Sequence, residues 1–252
     1  MTATLDGQQR WKTSLMDNYG TPHLVLARGH NATVWDVDGK EYVDFRLGYG
    51  PIILGYRDSR VDAAVVEQIT QRGTLSGFAT ALDTEVVQQV KALCPNIEKM
   101  RFANSGTEAV MQAVRLARYH TRRSHLVRFC GAYHGWWGDV QPGVGNPQTA
   151  RETYTLREMH AATLHVLATR KDIACVLVNP LQALHPNMNA PGDSTLVDSS
   201  RKASYDRAAY TAWLHQLREV CTEKGIALIF DEVFLGFRLA VGGAQSYFGV
   251  QA

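Results

Sequence analysis

Apolar and polar positions along the chain fall into two rhythms. Near the N-terminus, Thr33-Val-Trp-Asp-Val37 and Lys40-Glu-Tyr-Val-Asp-Phe45 flank Asp38-Gly39. An Asp-Gly pair tolerates the positive φ angles of a tight turn, so the pattern predicts a β-hairpin. The loop Leu47-Gly-Tyr-Gly-Pro51 follows. A helix is expected from Asp58 or Ser59, either of which can cap it, with Val61, Val65, Val66 and Ile69 as its apolar face. From about residue 83 strands and helices alternate. A helix is expected over Asp83–Leu93 and a strand over Lys99–Ala103. Thr107–Thr121 reads as a helix, with Val110, Ala113, Val114 and Ala117 on one stripe. Leu126–Phe129 reads as a strand, Leu156–Thr169 as a helix, Ala174–Val178 as a strand, Tyr205–Lys224 as a helix and Ile226–Phe230 as a strand. Unbroken apolar runs such as Ala174-Cys-Val-Leu-Val178 suit strands buried on both faces. Loops are expected over Gln141–Ala150 and His185–Ser200. The alternation implies an α/β fold: a three-layer, mostly parallel sheet flanked by helices, preceded by a hairpin-bearing segment.

Composition narrows the function classes. With 45 % apolar and 20 % charged residues among 252, the chain has ordinary globular values, which excludes wholesale disorder. A net charge of +2 predicts no bulk attraction to nucleic acid or anionic lipid. No apolar run approaches the ~20 residues of a spanning helix, and the first residues lack a basic start and apolar stretch. Cys94, Cys130, Cys175 and Cys221 lie far apart with no CxxC pair. Reduced thiols in a cytoplasmic protein are therefore expected, with neither a disulfide framework nor a zinc site.

In open α/β sheets, ligands bind beyond the carboxyl ends of the strands. Four expected strand ends carry residues a core does not require: Asn104-Ser-Gly-Thr-Glu-Ala109, Cys130-Gly-Ala-Tyr-His-Gly-Trp-Trp137, Asn179-Pro-Leu-Gln182 and Asp231-Glu-Val-Phe234. Ser105-Gly106-Thr107 at a helix start offers free N–H groups and close approach, as phosphate binding needs; an ordinary cap with a turn glycine is the alternative. It matches neither a Walker loop nor a dinucleotide fingerprint. Asp231 ends a buried strand and needs a partner, either the protonated ring nitrogen of a cofactor or a structural ion pair or helix cap. Glu232 points the other way and reads as structural. Tyr133 or His134 can stack on a flat ligand or simply pack. Trp136 and Trp137 are expected to anchor this loop. Cys130 and the remaining histidines, His160 and His165 included, read as structural or surface residues, and no metal site is expected.

Taken in order, these pieces resemble the class III family of pyridoxal-phosphate aminotransferases, fold type I. They are most similar to glutamate-1-semialdehyde aminotransferases (aminomutases) and to the related domains of polyketide and nonribosomal peptide assembly lines. The matching text is Val34-Trp-Asp-Val-Asp-Gly-Lys-Glu-Tyr-Val-Asp-Phe45, Tyr49-Gly-Pro51, Phe102-Ala-Asn-Ser-Gly-Thr-Glu-Ala-Val110, Tyr133-His-Gly135 and Ile229-Phe-Asp-Glu-Val233. Gly236-Phe-Arg238 and Gly242-Gly-Ala-Gln245 continue it. The resemblance implies that residues 1–60 belong to a small domain and 61–252 to a cofactor-binding large domain. It implies that Ser105, Gly106 and Thr107 bind the phosphate of pyridoxal 5'-phosphate. Tyr133 would stack on the ring with His134 beside it, Val233 would cover the other face, and Asp231 would pair with the ring nitrogen as the catalytic carboxylate. Tyr49 and Asn179 would face the substrate. An amino acid donor, a carbonyl acceptor and a homodimer are implied as partners.

Three departures qualify this. The family's Schiff-base lysine falls one strand beyond Asp231, past Ala252, and none of Lys12, Lys40, Lys91, Lys99, Lys171, Lys202 and Lys224 occupies its place. Asn179-Pro180 stands where the family often has Glu-Pro, and Asn179-Pro-Leu-Gln182 is closer to the assembly-line group. Tyr19-Gly-Thr-Pro-His23 shows no equivalent of the aminomutase arginine for a substrate carboxylate, so a carrier-bound keto-acyl chain enters as a candidate acceptor. Two other readings stand beside the enzyme: a non-catalytic scaffold that genuinely lacks the lysine, and a nucleotide-dependent α/β enzyme.

Overall fold

The computed structural model describes residues 3–14, 24–75, 77–94, 96–141, 150–180 and 206–252. Most of the loop expected over Gln141–Ala150, and all of that over His185–Ser200, lies outside them. Two compact units emerge, Met1–Thr80 and Ala81–Ala252.

The first unit opens with helix α1 (Ala3–Ser14) and an antiparallel three-stranded sheet of order β1-β2-β3. The expected hairpin is β2 (Thr33–Asp36) and β3 (Glu41–Val43), turning through Asp38-Gly39. Strand β1 (Leu26–His30) pairs outside β2 with an irregularity between Leu26 and Arg28. Asp36 organises the turn: its Oδ1 accepts the N–H groups of Asp38 and Lys40, and its Oδ2 accepts the Tyr42 hydroxyl. Tyr49 ends a short 3-10 turn, Leu47–Tyr49. Helix α2 (Ser59–Glu67) is capped by Asp58, whose carboxylate accepts from the N–H groups of Arg60 and Val61. Its apolar face is exposed: Val61, Val65 and Val66 are each about half exposed, as is Ile69 in the π-helical turn Gln68–Arg72 that follows. The periodicity correctly predicts the helix but not its burial, because an amphipathic face records what a segment can bury rather than what covers it.

The second unit is three-layered. After α3 (Ala81–Leu93) come α4 (Gly106–Thr121), β4 (His125–Phe129), β5 (Thr153–Leu156), α5 (Ala161–Thr169), β6 (Ile173–Val178), α6 (Arg207–Lys224), β7 (Ala227–Phe230) and α7 (Gly243–Phe248). The four strands run parallel in the order β5-β4-β6-β7. Alternation along each strand sends side chains to two cores. Leu126, Cys175 and Leu177 pack with Val110, Val114 and Ala117 of α4. Val127, Phe129, Val176, Val178 and Leu228 pack with Leu167 of α5 and with Tyr210, Trp213, Leu214 and Leu217 of α6. All six residues of β6 are buried, as its unbroken apolar run predicts. Helix α6 ends at Gly225 in the left-handed conformation (φ 59°).

Three expectations need correction. Lys99–Ala103 forms no strand: a strand exists only with a hydrogen-bonded neighbour, and no ladder runs along this segment among the described residues. The helix expected from Leu156 begins at Ala161, because Thr153–Leu156 is taken by β5 and His160 supplies the cap. Trp136 is 74 % exposed and packs into neither core of the described residues, whereas Trp137 packs on the α4-side core.

Candidate functional site

The carboxyl ends of β4, β6 and β7 and the start of α4 lie in the second unit, and their residues meet. Helix α4 begins at Gly106 because Ser105 caps it: the Ser105 Oγ accepts from the Glu108 N–H (3.2 Å), and Glu108 Oε2 accepts from the Asn104 N–H (2.8 Å). Ser-Gly-Thr-Glu has the capping-box pattern, with Glu108 reaching the N–H of Asn104 one residue before the cap. The N–H groups of Gly106 and Thr107 lie in the first turn, where no preceding helical carbonyl exists to accept them. The Ser105 hydroxyl accepts within the cap, so its proton remains available for an outside acceptor. Cap and anion site are thus compatible.

Beyond β4 the chain turns through Gly131 into Tyr133-His134-Gly135. His134 is buried, and its Nδ1 lies 2.8 Å from Asp231 Oδ2 at the end of β7. A carboxylate oxygen at that distance makes Nδ1 the donor. His134 Nε2 is buried with no hydrogen-bond partner among the described residues. Asp231 Oδ1 accepts the Val233 N–H at 3.1 Å. One bond to each oxygen leaves each with a further lone pair.

Two glycines record how close these segments come. A Cβ on Gly106 would lie 3.0 Å from a Val233 methyl. One on Gly135 (φ +95°) would lie 2.6 Å from Thr107 Oγ1 and 2.9 Å from Thr107 Cα. Ser105–Thr107, Tyr133–Gly135 and Asp231–Val233 therefore adjoin one another beyond the carboxyl ends of the strands. Val233 is 58 % exposed there, an apolar side chain with an open face. Asn179 is 3 % exposed, and its Nδ2 donates to the Tyr133 carbonyl (3.4 Å). Tyr49 belongs to the first unit.

Neighbouring acids divide by role. Glu232 points away from Asp231, and its Oε2 accepts the Ala244 N–H (2.7 Å), capping α7. Burial pushes its carboxyl above the usual range against the pull of those N–H groups. Glu158, just past β5, is enclosed and accepts the Tyr210 hydroxyl (2.6 Å); burial pushes it up to about 7. Sequence reasoning missed this pair, and the direct His134–Asp231 contact as well. It also passed over Arg128, although a charged residue inside the apolar run of β4 was a visible signal. A groove of about 740 Å³ between α6 and α7, lined by Arg207, Thr211, His215 and Tyr247 among others, contains none of the strand-end residues. No group of three or more His, Cys, Asp or Glu able to hold a metal occurs among the described residues.

A helix-flanked parallel sheet, with a capped helix start and a buried carboxylate beyond its strand ends, defines a class of α/β proteins, and comparison gives the family. The description Aminotransferase class-III matches residues 15–252, and the chain belongs to that family. It is 36 % identical over 248 residues to the glutamate-1-semialdehyde 2,1-aminomutase of Chlorobium phaeobacteroides (strain BS1), covering 92 % of this chain and 53 % of that protein. The chain thus spans about half the length of such relatives. An omega-transaminase from Sphaerobacter thermophilus superposes with a TM-score of 0.80 at 28 % identity, over 99 % of this chain and 59 % of that one. A structure described as a transaminase with PLP bound gives 0.80 at 26 % identity, over 100 % and 60 %. The fold is that of the fold type I aminotransferases.

Proposed function

We propose that this chain carries the cofactor site of a pyridoxal-phosphate-dependent aminotransferase, moving an amino group from an amino acid to a carbonyl acceptor. The observation that carries the reading is the close approach of Ser105–Thr107, Tyr133–Gly135 and Asp231–Val233 beyond the strand ends. The residues fit the group. The α4 start, with small residues and first-turn N–H groups, suits a dianionic phosphate. Asp231, buried and with lone pairs left on both oxygens, suits a protonated ring nitrogen. Tyr133 and the exposed side chain of Val233 are assigned to the two faces of a flat heterocycle. When bound, pyridoxal phosphate supplies an electron sink for negative charge on the amino-bearing carbon. The chain's residues do the rest: Ser105, Gly106 and Thr107 bind, Asp231 holds a proton at the ring nitrogen, and His134 donates to Asp231 and so fixes its orientation. Asn179 is assigned to the substrate side, acting there through its bond to the Tyr133 backbone.

The relatives and neighbours named above are enzymes, which favours catalysis over a scaffold. The acceptor, carrier-bound chains included, and a homodimeric state belong to the proposal. A cytoplasmic setting also does; it is supported by four free thiols, three of them buried. Among the described residues no helix is long and apolar enough to cross a membrane. Titration of the complete protein with pyridoxal phosphate tests the reading. An absorbance band displaced from that of the free cofactor, and abolished in D231A, is expected; no spectral change at millimolar cofactor refutes it.

A further inference from the structure

Strand β4 carries a guanidinium where its neighbours are apolar: Leu126-Val-Arg-Phe129. Arg128 is 3 % exposed and shares the face of Leu126, beneath α4. Its Nε donates to Thr155 Oγ1 on β5 (3.1 Å). Its Nη1 donates to the Val140 carbonyl (2.8 Å) and, more weakly, to the Ala132 carbonyl (3.4 Å). Ala132 is the residue before Tyr133-His134-Gly135, and Val140 lies five residues beyond Gly135. One guanidinium therefore grips both ends of the loop whose middle reaches Asp231 through His134 and Thr107 through Gly135.

Burying an arginine is costly, and an aliphatic side chain would fill the same place in a strand. What the arginine adds is a planar fork that serves a neighbouring strand and two loop carbonyls at once. A lysine keeps the charge but concentrates it on one nitrogen at the end of a flexible stem. We propose that Arg128 is a positioning residue for the cofactor site: it sets the 132–140 loop so that Tyr133 and His134 meet the cofactor ring and Asp231. The inference rests on the cofactor reading above.

The test uses the complete protein and pyridoxamine phosphate, whose binding needs no lysine. Dissociation constants from fluorescence titration are compared for wild type, R128K and T155V, alongside hydrogen exchange by mass spectrometry and thermal unfolding. The expected result for folded R128K is binding at least threefold weaker, with faster exchange concentrated in residues 131–141. A merely structural role would instead speed exchange through β4 and β5 and leave affinity unmoved. Affinity changed less than threefold in folded R128K overturns the inference alone. If R128K does not fold, T155V decides, since it keeps the arginine and removes one partner: binding at least threefold weaker supports the proposal and a smaller change overturns it. Failure of wild type to bind pyridoxamine phosphate overturns the cofactor reading, and this inference with it.

Discussion

Glu158 makes folding stability depend on pH in a way that one substitution should erase. Its carboxyl is enclosed beneath Tyr210, so burial favours the neutral acid and raises the folded-state value from 4.5 to about 7; the Tyr210 hydroxyl, 2.6 Å away, opposes the rise. The folded protein then holds a proton that the unfolded chain has released between those two values. Stability from this group is complete below about pH 4.5, falls as pH rises towards 7, and stays lost above it. At about 1.4 kcal/mol for each tenfold change in proton affinity, the loss is on the order of 3 kcal/mol. Glu158→Gln keeps the shape and an oxygen for Tyr210 but cannot ionise. The variant should match wild type near pH 5 and exceed it by about 3 kcal/mol at pH 8. Urea unfolding followed by circular dichroism at several pH values measures both, and subtracting the curves cancels every other titrating group. Tyr210→Phe removes the opposing hydrogen bond and should extend the falling window above pH 7. Parallel curves for wild type and E158Q between pH 5 and 8 would refute the reasoning.

Other perturbations probe the site and its frame. Gly135→Ala adds a Cβ at a positive φ and against Thr107; strain of this kind costs about 1–3 kcal/mol, and both melting temperature and pyridoxamine phosphate affinity should fall. Ser105→Ala removes the α4 cap and should cost about 1 kcal/mol by urea titration, with weaker binding of inorganic phosphate as the second readout. His134→Phe strips Asp231 of its buried donor; a loss of about 1–3 kcal/mol follows from the unmet hydrogen bond, and unchanged stability would show that water replaces the imidazole. Glu232→Gln retains an acceptor for the Ala244 N–H and should leave stability within about 0.5 kcal/mol, whereas Glu232→Ala should cost about 1 kcal/mol.

How legible the molecule is from sequence follows from what each residue has to satisfy. Strand β6 is readable because burial on both faces demands an unbroken apolar run, β7 because of its apolar run Ile226–Phe230 and β4 because apolar residues surround Arg128, and α4 and α6 because their stripes, caps and the Gly225 stop all agree. Strand β5 escapes because Thr153-Tyr-Thr-Leu156 lies at the edge of the described sheet, with none of its residues fully buried, and so lacks the apolar signal. Lys99–Ala103 has strand-like residues yet no ladder among the described residues, since pairing is a property of two segments and one segment's pattern cannot supply it. The same limit governs α2, whose exposed valines reveal a face without its cover.

The site divides along a related line. Residues at strand ends stand out because a core does not need them, so Ser105–Thr107, Tyr133, His134 and Asp231 can be picked out individually. Which of them touch cannot be read, because His134 and Asp231 are 97 positions apart and nothing local couples them. The contact changes the chemistry that Asp231 can offer. With Oδ2 accepting from the imidazole and Oδ1 from the Val233 amide, the carboxylate is oriented and each oxygen keeps a lone pair for a third donor. The same histidine is useful only if its loop is held in place, and that loop's anchorage runs through Arg128 into Thr155 of an edge strand the pattern does not reveal. Strand-end chemistry is therefore written in individual residues, while its orientation is written in pairs that only the fold assembles.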